Sequence, residues 1–471
     1  MIRTFLPIHL IPYGARIIVY GAGKTGRLYC LENEKIGWCR VVCAIDRNYK
    51  NIRDFPVAVD GLESINKYSF DYVLIARVSL AGKLEIDSII SDLIRQGVDS
   101  DRILADPTCC IWSNIDNNVV DDSVNDSINE GLLKVAFLPS GAMGDNIISL
   151  RLYREIASLM KNGTIDVFSK GDYADAVFYH QPLLGNVYHD IFDKESKEWK
   201  KYDLVIRSEF EPIIQYMRIN RITVLAPDFA ERLRRLFDYQ TQNNSEMPVG
   251  VYSSGIRLNR ARFWKLNRYT LLGCNGIFNI KDQYVEVYTK ESKLEEFHKL
   301  KLEKNYITFC YGAGGSHDGR TQQTKVWPKE NYEQWISLMK RQYPEIELVQ
   351  IGAEGTERIS GADKCFFGKP IEVVKYILKY ALLHLDCDSG LSHLATQLGT
   401  KCIVLFGPTP AWFLGYDRNI NICSRKCREC KDLIADWYFR CINYAEPICM
   451  KSIGAKTVYN KTCDYLEKTY E

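Results

Sequence analysis

Short apolar runs recur along the chain, each closed by a turn rich in glycine or aspartate and followed by a helical pattern. Residues 15–20, 41–45, 72–76 and 102–104 form a first group. Residues 133–138, 165–168, 202–206 and 222–225 form a second. Residues 306–311, 346–351, 380–385 and 402–406 form a third. Runs of this length, rich in β-branched and aromatic residues, predict buried strands. Helical spacing between them predicts parallel sheets built from βαβ units. After residue 390 the pattern Leu391, Leu394, Ala395, Leu398 predicts such a helix, and Gly399 stops it. The expected fold class is therefore α/β, with three Rossmann-like domains in succession. Their expected bounds are 1–111, 132–301 and 302–471, with 112–131 as a linker in which Asn, Asp and Ser dominate and periodicity is lost. Residues 228–300, rich in Arg, Tyr and Asn, predict an irregular, partly helical region.

Composition narrows the function. The chain has 471 residues, 46% of them apolar and 25% charged, an ordinary globular balance. A net charge of +2 argues against nucleic acid as a partner and against a polybasic membrane role. Apolar runs fall short of the ~18 residues of a spanning helix. The apolar start is cut by Pro7 and Pro12 and leads into a strand and a glycine loop, which argues against a signal peptide. Sixteen cysteines lie mostly singly in apolar runs, as Cys43, Cys310 and Cys402 do, and read as reduced core residues of a cytoplasmic protein.

Three strand-to-helix turns carry candidate chemistry. Gly21, Gly23 and Gly26 form G-x-G-x-x-G after the first strand, and Asp46 ends the second strand twenty residues on. This is the dinucleotide pattern, with the acid placed for a ribose hydroxyl. Lys24 is not a P-loop lysine, because the four-residue spacer is missing. The module either binds a nucleotide or serves as a docking scaffold. A second turn holds Gly141, Gly144 and Asp145. There Asp145 is either a general base or a helix cap. A third turn runs Asp388, Ser389, Gly390, Leu391, Ser392, His393. A helix N-terminus with a glycine offers unpaired N–H groups and partial positive charge, a seat for a diphosphate. The plainer alternative is a capped helix with a packed histidine. Cys427, Cys430, Cys441 and Cys449, with Cys423 nearby, reach a metal-ligand count for structural zinc or iron. Reduced thiols are the alternative.

The stretch from Asp388 to Ala395, followed by Leu405 to Thr409, resembles the donor-site signature of the heptosyltransferase-like glycosyltransferases, glycosyltransferase family 9. Three further marks are similar in order: Gly-x-x-Gly-Asp at 141–145, Lys-x-Trp-Pro at 325–328 after a glycine turn containing Gly314, and a glutamate after the strand at 346–351. The resemblance covers residues 133–455. It implies a GT-B fold of two Rossmann-like lobes, here preceded by the small separate Rossmann-like domain. It implies inverting transfer of a sugar, heptose from ADP-heptose above all, to a lipopolysaccharide, other surface glycan or protein acceptor. Asp145 carries over as the general base and Lys325 as the lysine facing the donor phosphates. Gly144, Gly314, Glu357 (with Glu354 as the alternative), Asp388, Ser389, Gly390, Leu391, Ser392 and His393 carry over as donor contacts. No cofactor is implied for transfer. Some protein-modifying members hold iron on a cysteine finger. In two-lobed transferases the last helix often crosses back to the other lobe.

Two other classes stay open at this point. A NAD(P)-dependent oxidoreductase would use Gly21 to Gly26 and Asp46, and no proton donor is evident near that motif. A non-catalytic sugar-nucleotide-binding protein is disfavoured by the retention of Asp145 and Lys325. The sequence leaves open the acceptor, the nucleotide base, the oligomeric state and a peripheral seat at the inner face of the cytoplasmic membrane.

Overall fold

The computed structural model describes residues 11–76, 83–104, 131–169, 171–189, 198–244, 251–302, 305–312, 323–433, 437–443 and 446–470. The expected linker, apart from its last residue, and the expected donor contact Gly314 lie outside these residues. The chain divides into two compact units, one of residues Met1–Asp116 with Thr241–Ile256, the other of Asn117–Gln240 with Arg257–Glu471.

The first unit holds a five-stranded sheet of β1 (Arg16–Tyr20), β2 (Arg40–Ile45), β3 (Val59–Asp60), β4 (Tyr72–Ile75) and β5 (Ile103–Leu104), in the order β3-β2-β1-β4-β5. All its pairings are parallel. This order, with β1 at the centre, is Rossmann-like, as the sequence predicts of the domain. Helices α1 (Lys24–Ile36) and α2 (Lys83–Arg95) connect the strands. Its core has two parts: Ile17, Val19, Ala44 and Leu74 pack with Tyr29, and Ile18, Cys43, Val73 and Ile75 pack with Ile89 and Leu93.

The second unit carries two more sheets. One has β6 (Leu133–Pro139), β7 (Gly163–Phe168), β8 (Leu184–Tyr188), β9 (Leu204–Ser208) and β10 (Pro212–Met217), ordered β10-β9-β6-β7-β8. Its one antiparallel pairing joins β10 to β9. Helix α3 (Met143–Met160) follows β6, and the short α4 (Ala174–Phe178) follows β7. Phe137, Tyr153 and Phe178 form a buried edge-to-face cluster beneath them. Such aromatic burial contributes about 1.5–3 kcal/mol per side chain. The other sheet has six strands: β11 (Tyr306–Cys310), β12 (Glu347–Gly352), β13 (Lys364–Phe367), β14 (Leu383–Cys387), β15 (Cys402–Phe406) and β16 (Ile420–Cys423). The order is β13-β12-β11-β14-β15-β16, all parallel. Residues of β11, β14 and β15 are buried throughout, as a parallel sheet covered on both faces requires. Helices α5 (Lys329–Gln342), α6 (Ile371–Lys379), α7 (Gly390–Gln397) and α8 (Ala455–Tyr470) cover it. The expected pair of Rossmann-like lobes after a separate small one is therefore present.

Three local expectations are corrected. Residues 222–225 are not a strand but part of a helix, Ile219–Leu225. The sheet edge is already taken by β10, and the run buries Ile219 and Ile222, three apart, while Val224 is exposed. A four-residue apolar run cannot by itself separate the two outcomes. Residues 228–300 are more regular than expected, with helices Pro227–Asn244 and Val251–Phe263 ahead of an irregular stretch. The last helix packs within its own lobe: Val458 and Leu466 join the core around Trp327 and Trp335, and Thr462 Oγ1 lies 3.3 Å from Trp335 Nε1.

Candidate active site

The acceptor-lobe half of the site begins where β6 ends. Gly141 has φ +76°, and a Cβ there would lie 2.2 Å from Asp145 Oδ2. Glycine therefore lets the Asp145 carboxylate fold back over its own turn. Asp145 occupies the first turn of α3, and its Oδ2 accepts the Ala142 N–H at 3.4 Å. Its side chain stays 43% exposed, which suits a group that must meet an incoming hydroxyl. Arg268, buried in the irregular stretch, sets Nη2 at 3.5 Å from Asp145 Oδ1 and stacks its guanidinium 5.0 Å above Phe210. Burial pulls Arg268 below the usual arginine range, against the charges of Asp145 and Glu209. Glu209 is pushed up to about 7 by burial, against Arg207, Arg257 and Arg268. Burial also raises the neighbouring Tyr173 phenol to about 12, with Asp145 adding.

The donor-lobe half is the β14-to-α7 turn. Ser389 is the N-cap of α7: its Oγ accepts the N–H groups of Leu391 at 3.1 Å and Ser392 at 3.4 Å. Ser392 Oγ accepts the Ser389 N–H in return, at 3.3 Å. Just before the cap sits Asp388. Lys325 donates to its Oδ2 at 3.0 Å and to its carbonyl at 3.1 Å. His393 Nε2 lies 3.7 Å from Asp388 Oδ1, and His393 Nδ1 lies 2.8 Å from the Tyr416 hydroxyl. Burial opposes the charge on Asp388, but Lys325 and His393 overcome it and hold the carboxyl well below the usual range. Burial likewise opposes the charge on His393, but Tyr416 and Asp388 overcome it and raise the imidazole to about 9. Lys325 is raised in the same way by Asp388, against burial, with Asp145 adding. Lys325 and His393 thus flank the Asp388 carboxylate at the positive end of a helix, where an anion can approach.

The two halves touch. A Cβ at Gly144 would come 2.8 Å from His393 Cδ2, and one at Gly390 would come 2.8 Å from Met143 Cε and 3.3 Å from the Gly144 nitrogen. Glycine at both positions lets the N-termini of α3 and α7 meet. Arg268 joins them from the side, its backbone N–H bonded to Phe413 O at 2.9 Å. Farther along, the buried Lys375 Nζ on α6 donates to Ala176 O and Tyr288 O, each at 2.6 Å, and to Glu372. Burial lowers Lys375 to about 8.

The profile of Glycosyltransferase family 9 (heptosyltransferase) matches residues 278–435, a span that contains Lys325 and the whole β14-to-α7 turn. Lipopolysaccharide heptosyltransferase 1 of Campylobacter coli is 22% identical over 314 residues, 61% of this chain and 88% of that protein. Over these spans the chain is similar to the heptosyltransferases of glycosyltransferase family 9. Lipopolysaccharide heptosyltransferase 1 of Escherichia coli O18:K1:H7 is 28% identical over 123 residues, 25% of this chain and 38% of that one. Among solved structures, Escherichia coli ADP-heptose lps heptosyltransferase II aligns with 72% of this chain and 100% of its own, at 16% identity and a TM-score of 0.45.

Of the residues expected from the sequence, Gly144, Asp145, Lys325, Asp388, Ser389, Gly390, Leu391, Ser392 and His393 come together at the junction of the lobes. Glu357 follows β12, and its carboxylate pairs with Lys329. The sequence assigns no site role to Arg268, one of four arginines in its stretch that could meet an anionic acceptor, and does not single out Tyr416. Arg268 and Tyr416 lie 123 residues from Asp145 and 23 from His393, in stretches without periodicity, and no local signal marks them.

The N-terminal unit has its expected turn. Gly21 has φ +107°, and a Cβ at Gly26 would lie 2.0 Å from Gly21 O. Asp46, however, directs its oxygens at backbone: Oδ2 accepts the Ala22 N–H and Oδ1 the Asn48 N–H, both at 2.8 Å. Its task in this structure is to tie the glycine loop to β2.

The cysteine expectation fares differently. Burial pushes Cys430 up to about 12, with Cys449, Cys441 and Cys427 adding, so the four thiols are neighbours. Among the described residues, no group of three or more His, Cys, Asp or Glu is placed to hold a metal ion. Cys449 and Cys427 instead pack on the apolar core beside Met450. The arrangement does not fit zinc or iron as four convergent thiolates. The described cysteines are free thiols. Among the described residues no helix is long and apolar enough to cross a membrane.

Proposed function

We propose that this protein moves heptose from ADP-heptose to a hydroxyl of a lipopolysaccharide core sugar, by single displacement with inversion. The observation that carries the reading is the meeting of Asp145 with the cationic turn of Lys325 and His393, across the contact of Gly144 with Gly390. The likeness to lipopolysaccharide heptosyltransferase 1 of Campylobacter coli supports the donor and acceptor classes.

In this reading the diphosphate lies against the N-terminus of α7 and the Lys325 ammonium. The acceptor hydroxyl lies against Asp145. Its oxygen attacks the anomeric carbon as its proton passes to the carboxylate, and the bond from that carbon to the diphosphate oxygen breaks. A carboxylate positioned for such a transfer contributes roughly 10²–10⁴-fold. The departing ADP gains negative charge, which Lys325, His393 and the helix terminus stabilise. Arg268 holds the base in place and joins both lobes.

The test is ADP release from ADP-heptose by the purified full chain, with heptose-free lipopolysaccharide core as acceptor. Asp145→Asn is expected to lower turnover at least about 100-fold while ADP affinity stays within about twofold. Undiminished transfer by Asp145→Asn sinks the base assignment. Preference for a UDP-, GDP- or CDP-sugar sinks the donor.

A further inference from the structure

Two buried titratable side chains on β14 take no part in the chemistry above. His384 and Asp386 are both fully buried, on a strand enclosed by β11 and β15. Removing such groups from water is costly unless every polar atom finds a partner. Here the partners form a line. Thr308 Oγ1, on β11, lies 3.0 Å from His384 Nδ1. His384 Nε2 lies 3.3 Å from Asp386 Oδ2. Asp386 Oδ1 accepts the Cys387 N–H at 2.7 Å, and Oδ2 also accepts the Ser389 hydroxyl. Thr308 Oγ1 also lies 3.4 Å from Leu383 O, so its hydroxyl is shared between that carbonyl and the ring.

The line ends at the donor turn. A serine hydroxyl has one hydrogen and two lone pairs. With the Ser389 hydrogen directed at Asp386, both lone pairs face helix amides, those of Leu391 and Ser392. Asp386 thereby fixes Ser389 as an acceptor. An N-cap so fixed holds the first turn of α7 rigid, with the Gly390 N–H outside the capping box. A rigid first turn needs no reorganisation when an anion arrives.

We propose that Thr308, His384 and Asp386 are positioning residues for the donor diphosphate, acting through the Ser389 hydroxyl. The proposal rests on the reading of the β14-to-α7 turn as the donor site. It makes a specific demand on Asp386. Asparagine replaces one of the two carboxylate oxygens by an NH2 donor, and Asp386 uses its two oxygens separately, Oδ1 for the Cys387 N–H and Oδ2 for the Ser389 hydroxyl and His384 Nε2, so Asp386→Asn disturbs the hold on the cap at nearly unchanged volume.

The test is calorimetric titration of ADP into the full-length wild type, Asp386→Asn, Ser389→Ala and the double variant. Each single variant is expected to weaken ADP binding roughly five- to tenfold, the size of a lost cap. The double variant is expected to bind no more weakly than Ser389→Ala, because the two residues act in series. The donor KM should rise in parallel while the acceptor KM holds. Unchanged ADP affinity in Asp386→Asn, with a lowered Tm, overturns the proposal and leaves the pair a purely structural one. Additive losses in the double variant overturn it too. Should Asp386→Asn fail to fold, His384→Gln tests the same line one link out; its smaller loss must vanish in the Ser389→Ala background. A wild type that binds none of ADP, UDP, GDP or CDP overturns the donor-site reading itself, a failure distinct from the others.

Discussion

Two glycine turns in this chain share one design and differ in what surrounds them. Both follow a central parallel strand, β1 or β14, and both open a helix, α1 or α7. At the first, Asp46 accepts two backbone N–H groups of its own unit. At the second, Asp388 is flanked by Lys325 and His393, and the N-cap is locked by Ser389. The first turn is stitched to itself, while the second collects charge from elements far apart in sequence. A strand–glycine–helix turn supplies a place for an anion. Whether it acts as an anion site depends on the side chains that the tertiary structure adds.

The sharpest way to break this comparison is to remove the charge. Lys325→Ala is expected to lower transfer roughly 10²–10³-fold, the usual cost of losing one group aimed at developing charge. ADP affinity should fall with it, which titration of the same variant checks. A near-wild-type rate would show that the charge at the second turn takes no part in transfer.

A smaller effect comes from lobe contact. Gly144→Ala brings a Cβ to 2.8 Å from His393 Cδ2, so the lobes must part or the ring must turn. Turnover is expected to drop roughly tenfold to 100-fold, since a shift of about 1 Å between reacting groups costs that much. Steady-state kinetics should place the loss in kcat more than in donor KM.

The pH dependence follows with its sign. His393 is raised from 6.5 to about 9 by its partners, against burial. Its contribution to stability is fully present below pH 6.5 and is lost as pH rises toward and through about 9. ADP affinity should weaken roughly tenfold between pH 7 and pH 10, as the imidazole loses its charge. His393→Gln should bind ADP more weakly at pH 7 and show a flatter profile, read by titration across that range.

The smallest expected effect is the control. A Cβ at Gly23 meets nothing within 4 Å, and Gly23 lies in the other compact unit. Gly23→Val is expected to leave ADP affinity and transfer within about twofold of wild type. Loss of ADP binding there would move the nucleotide site to the first turn.

Much of this was legible in the sequence because it is local. A strand of five apolar residues, a glycine at positive φ and a serine at an N-cap each depend on near neighbours. The turns at 141–145 and 388–393 were therefore placed with their helices, and Lys325 with its Trp-Pro turn. Local signal failed where two structures compete for the same short run, as at 222–225. It failed again for Arg268, which reaches Asp145 across 123 residues from a stretch with no period. The cysteine spacing invited a metal, but Cys427 and Cys449 joined the apolar core.

The sequence by itself determined the three α/β segments, the glycine turns and the identity of the groups with chemistry to offer, because periodicity and turn preference act over a few residues. The tertiary structure alone decided which of those groups meet. It set Tyr416 and Asp388 against His393, and so raised the imidazole to about 9 despite its burial. It ran a hydrogen-bonded line from Thr308 to the cap of α7, and spent Asp46 on its own backbone. Electrostatics and hydrogen bonding depend on distance in space, and only packing sets that distance.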